Sequence, residues 1–272
     1  MQSVLAEIDR LPDIQLFGRV SGIQGLLVEV SGIQRYLSIG ARVRILARGG
    51  QLIDAEVVGF RQAQALLMPF GSLEGIGIGC KAFLADSDPA IYPSPNWLGR
   101  VLNARGQPVD GGPPLQLGSV GYSLRAAPPP AHSRQRVGGK IDLGVRALNT
   151  FVTCCRGQRM GIFSGSGVGK SVLLSMMARY TQADVNIIGL IGERGREVQE
   201  FIKDDLGDEG LARSIIVVAT SDESALMRRQ AAYLTMALSE YFRDQDRDVL
   251  CLMDSVTRFA MAQREIGLSA GE

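Results

Sequence analysis

The chain has 272 residues, 46% hydrophobic and 21% charged, the balance of a globular protein with room for one large core or two domains. Lys and Arg number 29 against 28 Asp and Glu, so net charge gives no pull toward nucleic acid or an anionic membrane. A single histidine, His132, and four cysteines without a CxxC pair (Cys80, Cys154, Cys155, Cys251) argue against zinc and read as reduced cytosolic thiols, and no apolar run is long enough to cross a bilayer.

Residues 1–13 mix Glu7, Asp9, Arg10 and Pro12 with apolar residues and do not read as a signal peptide. From 16 to 85, short β-like runs at 26–30, 42–46, 55–60 and 65–70 are separated by glycines. Val20-Ser21-Gly22-Ile23-Gln24 returns as Val30-Ser31-Gly32-Ile33-Gln34, which reads as strand ends meeting similar turns rather than a repeat architecture. Short strands at this spacing predict a small closed barrel, which leaves no sheet edge exposed. Phe17, Tyr36, Phe60, Phe70 and Phe83 fall in this stretch without the interleaved basic run that single-stranded nucleic acid calls for. Pro89, Pro93 and Pro95 mark a boundary, and the domain border is expected between 92 and 93. Residues 106–112 and Ala127-Pro128-Pro129-Pro130 are extended connections.

The stretch Ser164-Gly165-Ser166-Gly167-Val168-Gly169-Lys170-Ser171 organises the remainder. An apolar run at 160–163, expected as a strand, leads into it, and a helix-like run at 172–180 follows. That layout predicts a phosphate-binding loop. Glycines let backbone N–H groups turn inward on an anion, and the next helix adds unpaired N–H groups at its positive end. Lys170 supplies a mobile cation for the outer phosphates, and the Ser171 hydroxyl suits Mg²⁺. Ser164 stands where the usual pattern has its first glycine, a small residue in place of a smaller one.

Beyond the loop, 185–191 is nearly all apolar, as in a strand buried on both faces of a parallel sheet. Residues 197–206 read as helix and 215–219 as a further strand. A long helix begins at Ser221 or Ser224 and continues to about Arg243. The run 249–254 is a third buried strand and closes on Asp254. Strands alternating with helices predict a parallel α/β sheet with its ligand site at the strand C-termini. Glu193 and Asp254 sit at two such ends. Asp254 is the candidate for holding Mg²⁺ and Glu193 for polarising an attacking water. Arg194, Arg196 and Arg258 either stabilise charge on a transferring phosphoryl group or pair with Glu197, Asp204 and Asp205.

Gly-Ser-Gly-Val-Gly-Lys-Ser at 165–171, Gly-Glu-Arg-Gly-Arg-Glu at 192–197 and Met-Asp-Ser-Val-Thr-Arg-Phe at 253–259 together resemble the rotary-type ATPases. The nearest branch by these motifs is the ATPase of type III protein export, and the wording at 219–224 and 258–266 is similar to its flagellar members. Leu98-Gly99-Arg100-Val101 through Asp110-Gly111 match as well. The resemblance implies a β-barrel domain (1–92) followed by a RecA-like ATPase domain (93–272), with ATP and Mg²⁺ bound. It assigns nucleotide binding to Ser164, Gly165, Ser166, Gly167, Val168, Gly169, Lys170, Ser171 and Val172, and the metal to Ser171 and Asp254. Lys170, Glu193, Arg194 and Arg258 become the catalytic set. The implied working form is a homo-hexamer at the inner face of the cytoplasmic membrane. There it meets the flagellar export apparatus, regulator or stalk proteins and chaperone–substrate complexes, and no nucleic acid. The family continues past Gly271-Glu272, so the expectation is a C-terminally truncated ATPase domain, mostly monomeric and of low turnover. A virulence secretion ATPase, the catalytic subunit of a proton-translocating ATP synthase and an RNA-translocating hexamer are the alternatives.

Overall fold

The computed structural model describes residues 16–85, 90–165 and 167–272. The chain divides into two compact units, one of Met1–Asp88 with Arg264–Glu272 and the other of Pro89–Gln263.

The first unit is a closed barrel of six strands: β1 (Phe17–Gln24), β2 (Leu27–Ser31), β3 (Arg42–Leu46), β4 (Leu52–Arg61), β5 (Gln64–Pro69) and β6 (Lys81–Leu84), paired in the order β1-β2-β5-β4-β3-β6. Alternation decides which side chains fill it. In β3, Val43 and Ile45 are buried while Arg42 and Arg44 lie on the outer side of the pleat. Register shifts at Val20/Gly22 and Val57/Gly59 bend the longer strands into closure. Gly18 is required by space, because a Cβ there would lie 2.5 Å from the Ser31 carbonyl oxygen.

In the second unit a two-stranded pair, β7 (Ala90–Ile91) with β9 (Tyr122–Ser123), stands apart from a parallel sheet. That sheet has the order β12-β10-β11-β8, from β8 (Val101–Asn103), β10 (Val185–Ile191), β11 (Ser214–Ala219) and β12 (Val249–Asp254). All seven residues of β10 are buried. Its side chains divide by parity, as period-2 pleating demands. Ile187 and Ile191 join Leu102, Ile215 and Val217 under α5 (Ala225–Arg243). Ile188 and Leu190 face the other way, with Ile216 and Leu252, onto α2 (Lys170–Tyr180). Each such side chain contributes about 1.5–3 kcal/mol on burial. The helix α5 crosses β10 so closely that a Cβ on Gly189 would lie 2.6 Å from Thr235 Oγ1. Asn186 is one of the polar residues buried in the core. Asn186 donates through Nδ2 to the Ala178 carbonyl (2.8 Å) and to Ser214 Oγ (3.2 Å), tying α2, β10 and β11 together at their far ends.

Three departures from the sequence reading matter. The run 160–163 forms no strand; it is short, interrupted by Gly161, and gains no ladder hydrogen bonds, leaving Phe163 96% exposed. The sheet instead takes Val101–Asn103, paired in parallel with Ile216–Val218, as its edge next to β11. The helix expected at 197–206 is two pieces, α3 (Gly195–Glu200) and a π turn (Phe201–Leu206), and α4 (Gly207–Ala212) continues from them. The expected start of α5 resolves to Ser224, whose hydroxyl caps the Met227 N–H. A short α1 (Arg146–Phe151) and the terminal α6 (Val256–Ala270) complete the α-helices among the described residues.

Candidate active site

The glycine-rich loop ends where α2 begins. Gly167 and Gly169 have φ of +76° and +91°, a left-handed backbone that favours glycine over any residue with a Cβ. Leu173 N–H donates to the Gly169 carbonyl (2.9 Å), which opens the helix. No side chain caps this end and no acidic residue stands in its first turn. The N–H groups of Lys170, Ser171 and Val172 therefore retain no intrahelical acceptor and suit an anion. Ser164, Gly165, Val168 and Val172 are exposed around them, and Ser166 lies outside the described residues.

Lys170 does not float free. Its ammonium is paired with the carboxylate of Asp254 at the end of β12, a side chain only 4% exposed. Proximity follows from topology, since β12 lies beside β10 and α2 packs over both. A buried carboxylate needs such a partner. Expected as a mobile cation, Lys170 is instead held in place by the residue assigned to the metal.

Glu193 follows β10 after a turn at Gly192 (φ +74°). The turn is stapled to β11: Gly192 N–H donates to the Ala219 carbonyl (2.6 Å) and Ser221 N–H to the Glu193 carbonyl (3.0 Å). Arg258, on the first turns of α6, brings its Nε to 3.7 Å from the Glu193 carboxylate. It packs so tightly on Gly192 that a Cβ there would lie 2.5 Å from Arg258 Cδ. Burial pushes the Glu193 carboxyl above its ordinary range. A hydrogen bond donated to Glu197 and the charge of Asp254 push it the same way, against the pull of Arg258 and Lys170. The same bond holds Glu197 below its ordinary range, with help from the Arg194 N–H.

Arg194 begins α3 and is 75% exposed; its guanidinium lies 3.5 Å from Glu197 rather than against the loop. Arg196 pairs in turn with Glu200 (3.5 Å). For Arg194 this is the ion-pair alternative that the sequence left open; Arg196 takes Glu200, one helical turn on, rather than Glu197, Asp204 or Asp205.

Ser171, Glu193 and Asp254 line one cavity of about 220 Å³, together with Leu190, Glu197, Val198, Glu200, Phe201 and Asp205. Ser171 Oγ and the Asp254 carboxylate are hard oxygen donors of the kind Mg²⁺ takes. Among the described residues no group of three or more His, Cys, Asp or Glu is placed to hold a metal. Donor set and cavity thus fit Mg²⁺ bound with a phosphorylated ligand. Glu197 and Asp205 were named in the sequence only as partners for arginines. The eight-residue interval between them, with Phe201 midway, was the available signal, but the phase depends on the turn between.

Residues 144–272 match the model of the ATP synthase alpha/beta family nucleotide-binding domain, and residues 20–82 that of the family's β-barrel domain. The flagellum-specific ATP synthase of Caulobacter vibrioides is 58% identical over 272 residues, all of this chain and 61% of that protein. The flagellum-specific ATP synthase of Bacillus subtilis is 46% identical, over 100% and 62%. The type 3 secretion system ATPase of Xanthomonas euvesicatoria is 46% identical, over 94% and 58%. Among solved structures, the assembled ATPase EscN in complex with its central stalk EscO, from the type III secretion system of enteropathogenic E. coli, superposes with a TM-score of 0.83. The two are 38% identical, over 94% of this chain and 62% of that one. The chain thus spans about three fifths of the length of the curated relatives it matches.

Proposed function

Since the chain belongs to the ATP synthase alpha/beta family, we propose that it binds and hydrolyses ATP to ADP and phosphate at this cavity, in the service of flagellar type III protein export. The observation that carries the reading is the convergence of Ser171, Glu193 and Asp254 on one cavity, with Lys170 at its edge on Asp254. The N–H groups at the start of α2 receive the phosphates. Lys170 exchanges its carboxylate partner for the outer phosphates. Ser171 and Asp254 hold Mg²⁺, which when bound neutralises charge on the phosphates and orients them. Glu193, in its ionised form, accepts a proton from the attacking water, and the raised position of its carboxyl brings it nearer the pH at which a base works best. Arg258 offsets charge developing beside Glu193, and Arg194 assists from the rim through Glu197.

The flagellar assignment draws on relatives of that name, up to 58% identical. The type 3 secretion ATPase of Xanthomonas, at 46%, supports virulence secretion as the second reading. By analogy with assembled EscN and its stalk, the working form is a ring of six copies around a stalk partner. It acts at the inner face of the cytoplasmic membrane on chaperone–substrate complexes.

The test separates binding from chemistry in a form of the protein extended to the length of its relatives. Glu193→Gln keeps the side chain's shape but removes the base, so ATP affinity should persist while steady-state phosphate release falls about 10²–10⁴-fold. Near-normal turnover in this variant would exclude Glu193 as the base.

A further inference from the structure

The π turn between α3 and α4 controls which side chains reach the cavity. Its register is visible in the Gly207 N–H, which donates to the Ile202 carbonyl five residues back. From Glu197 to Phe201 the α-helical advance overshoots one turn by about 40°. From Phe201 to Asp205, at about 4.4 residues per turn, it falls short by about 33°. The two nearly cancel, so Glu197, Phe201 and Asp205 stay on one line and all three line the cavity. An uninterrupted α-helix would carry Asp205 about 80° round from Glu197. The neighbouring line behaves alike: Val198 and Leu206 both stay buried against Leu174, Met177 and Ala178 of α2.

Asp205 therefore lines the site from the wall formed by the π turn. Its backbone carbonyl accepts from Arg179 Nη1 of α2 (3.4 Å), and among the described residues its carboxylate is in no ion pair. Its neighbour Asp204 points to solvent.

We propose that Asp205, held in phase by the π turn, is a specificity-determining residue that makes the site discriminate metal-complexed from metal-free nucleotide. The inference rests on the nucleotide reading above. A fixed negative charge on the cavity wall repels the full charge of a bare triphosphate. It repels the magnesium complex, two charges less negative, correspondingly less. Asp205 acts through the field of its charge.

The experiment is calorimetric titration of the 272-residue chain with ATP, with and without Mg²⁺, reading the ratio of the two affinities. Asp205→Asn should lower that ratio on the order of 3–10-fold, chiefly by tightening metal-free binding. Asp204→Asn, a charge removed from the solvent side, should change it less than about 2-fold. Deleting Lys203, an exposed residue of the π turn, should reproduce the Asp205→Asn ratio, and adding Asp205→Asn to it should do nothing more. If the deletion fails to fold, the two asparagine variants decide alone. A ratio unchanged in Asp205→Asn, or changed equally by Asp204→Asn, overturns the inference while leaving the nucleotide site intact. Absence of ATP binding by the unaltered chain overturns the nucleotide reading and the inference with it.

Discussion

Gly192 separates the Glu193 strand end from Arg258, and the cost of filling that space can be worked from the structure. At φ +74° an alanine pays about 1–2 kcal/mol for the left-handed backbone. Its Cβ would also meet Arg258 Cδ at 2.5 Å and Cβ at 3.1 Å, atoms in the stem of the side chain rather than at its flexible end. Overpacking of that kind costs about 1–3 kcal/mol. Gly192→Ala should therefore destabilise the second unit by about 2–5 kcal/mol. Urea unfolding followed by fluorescence reads this directly, because the single tryptophan, Trp97, is buried in that unit's core. The informative step is the cycle with Arg258→Ala. With Cγ and Cδ gone the 2.5 Å collision is removed and the cost should fall toward the backbone part, about 1–2 kcal/mol, with only the 3.1 Å contact to the retained Cβ left over. If Gly192→Ala costs the same in both backgrounds, the collision is not the reason for the glycine and the reasoning fails.

Lys170→Ala should weaken ATP binding and also cost about 1–3 kcal/mol in the same unfolding assay, because it strands the Asp254 carboxylate; adding Asp254→Asn should recover most of that cost, and an equal loss in both backgrounds would show that the pair is not what Lys170 contributes. Asp110 accepts two bonds from Arg100 (2.7 and 2.8 Å) and the N–H groups of Val101 and Gly112, which holds its carboxyl far below the ordinary range. A depressed carboxylate stabilises the fold above its unfolded value near 4 and loses that contribution as pH falls toward the folded one. Asp110→Asn should thus cost about 1.5–3 kcal/mol at neutral pH and progressively less in acid, and a cost constant between pH 7 and 2 would contradict the assignment. For Glu193 the sign is opposite: its raised carboxyl favours the fold below the ordinary glutamate value, and that contribution disappears as pH rises through the folded one, so Glu193→Gln should gain stability relative to the unaltered chain as pH rises across that window.

Much of this was legible because burial leaves marks on composition. Residues 185–191 are apolar without alternation because both faces of β10 are covered, and the strand was readable to the residue. The loop was readable because left-handed glycines and a lysine at a helix start form a local pattern. What escaped depends on geometry rather than residue type. Val101–Asn103 is three residues long and is a strand only because β11 offers it an edge. Residues 160–163 have the composition of a strand without its hydrogen bonds. The π turn has no compositional signature, yet it rotates everything after it. The pairing of Lys170 with Asp254 joins residues 84 apart and needs the sheet to exist first.

The ladder also distributes motion unequally between the two carboxylates. β10 is hydrogen-bonded on both sides, by β11 and β12, while among the described residues β12 is paired only with β10. Amide hydrogens in the Glu193 strand should thus exchange with solvent only through large-scale opening, whereas alternate amides of β12 face outward and exchange readily. Glu193 follows a strand paired on both sides, and Asp254 ends a strand restrained by half as many partners. Displacements within the site should accordingly be taken up on the Asp254 side, with Glu193 as the fixed point against which they occur.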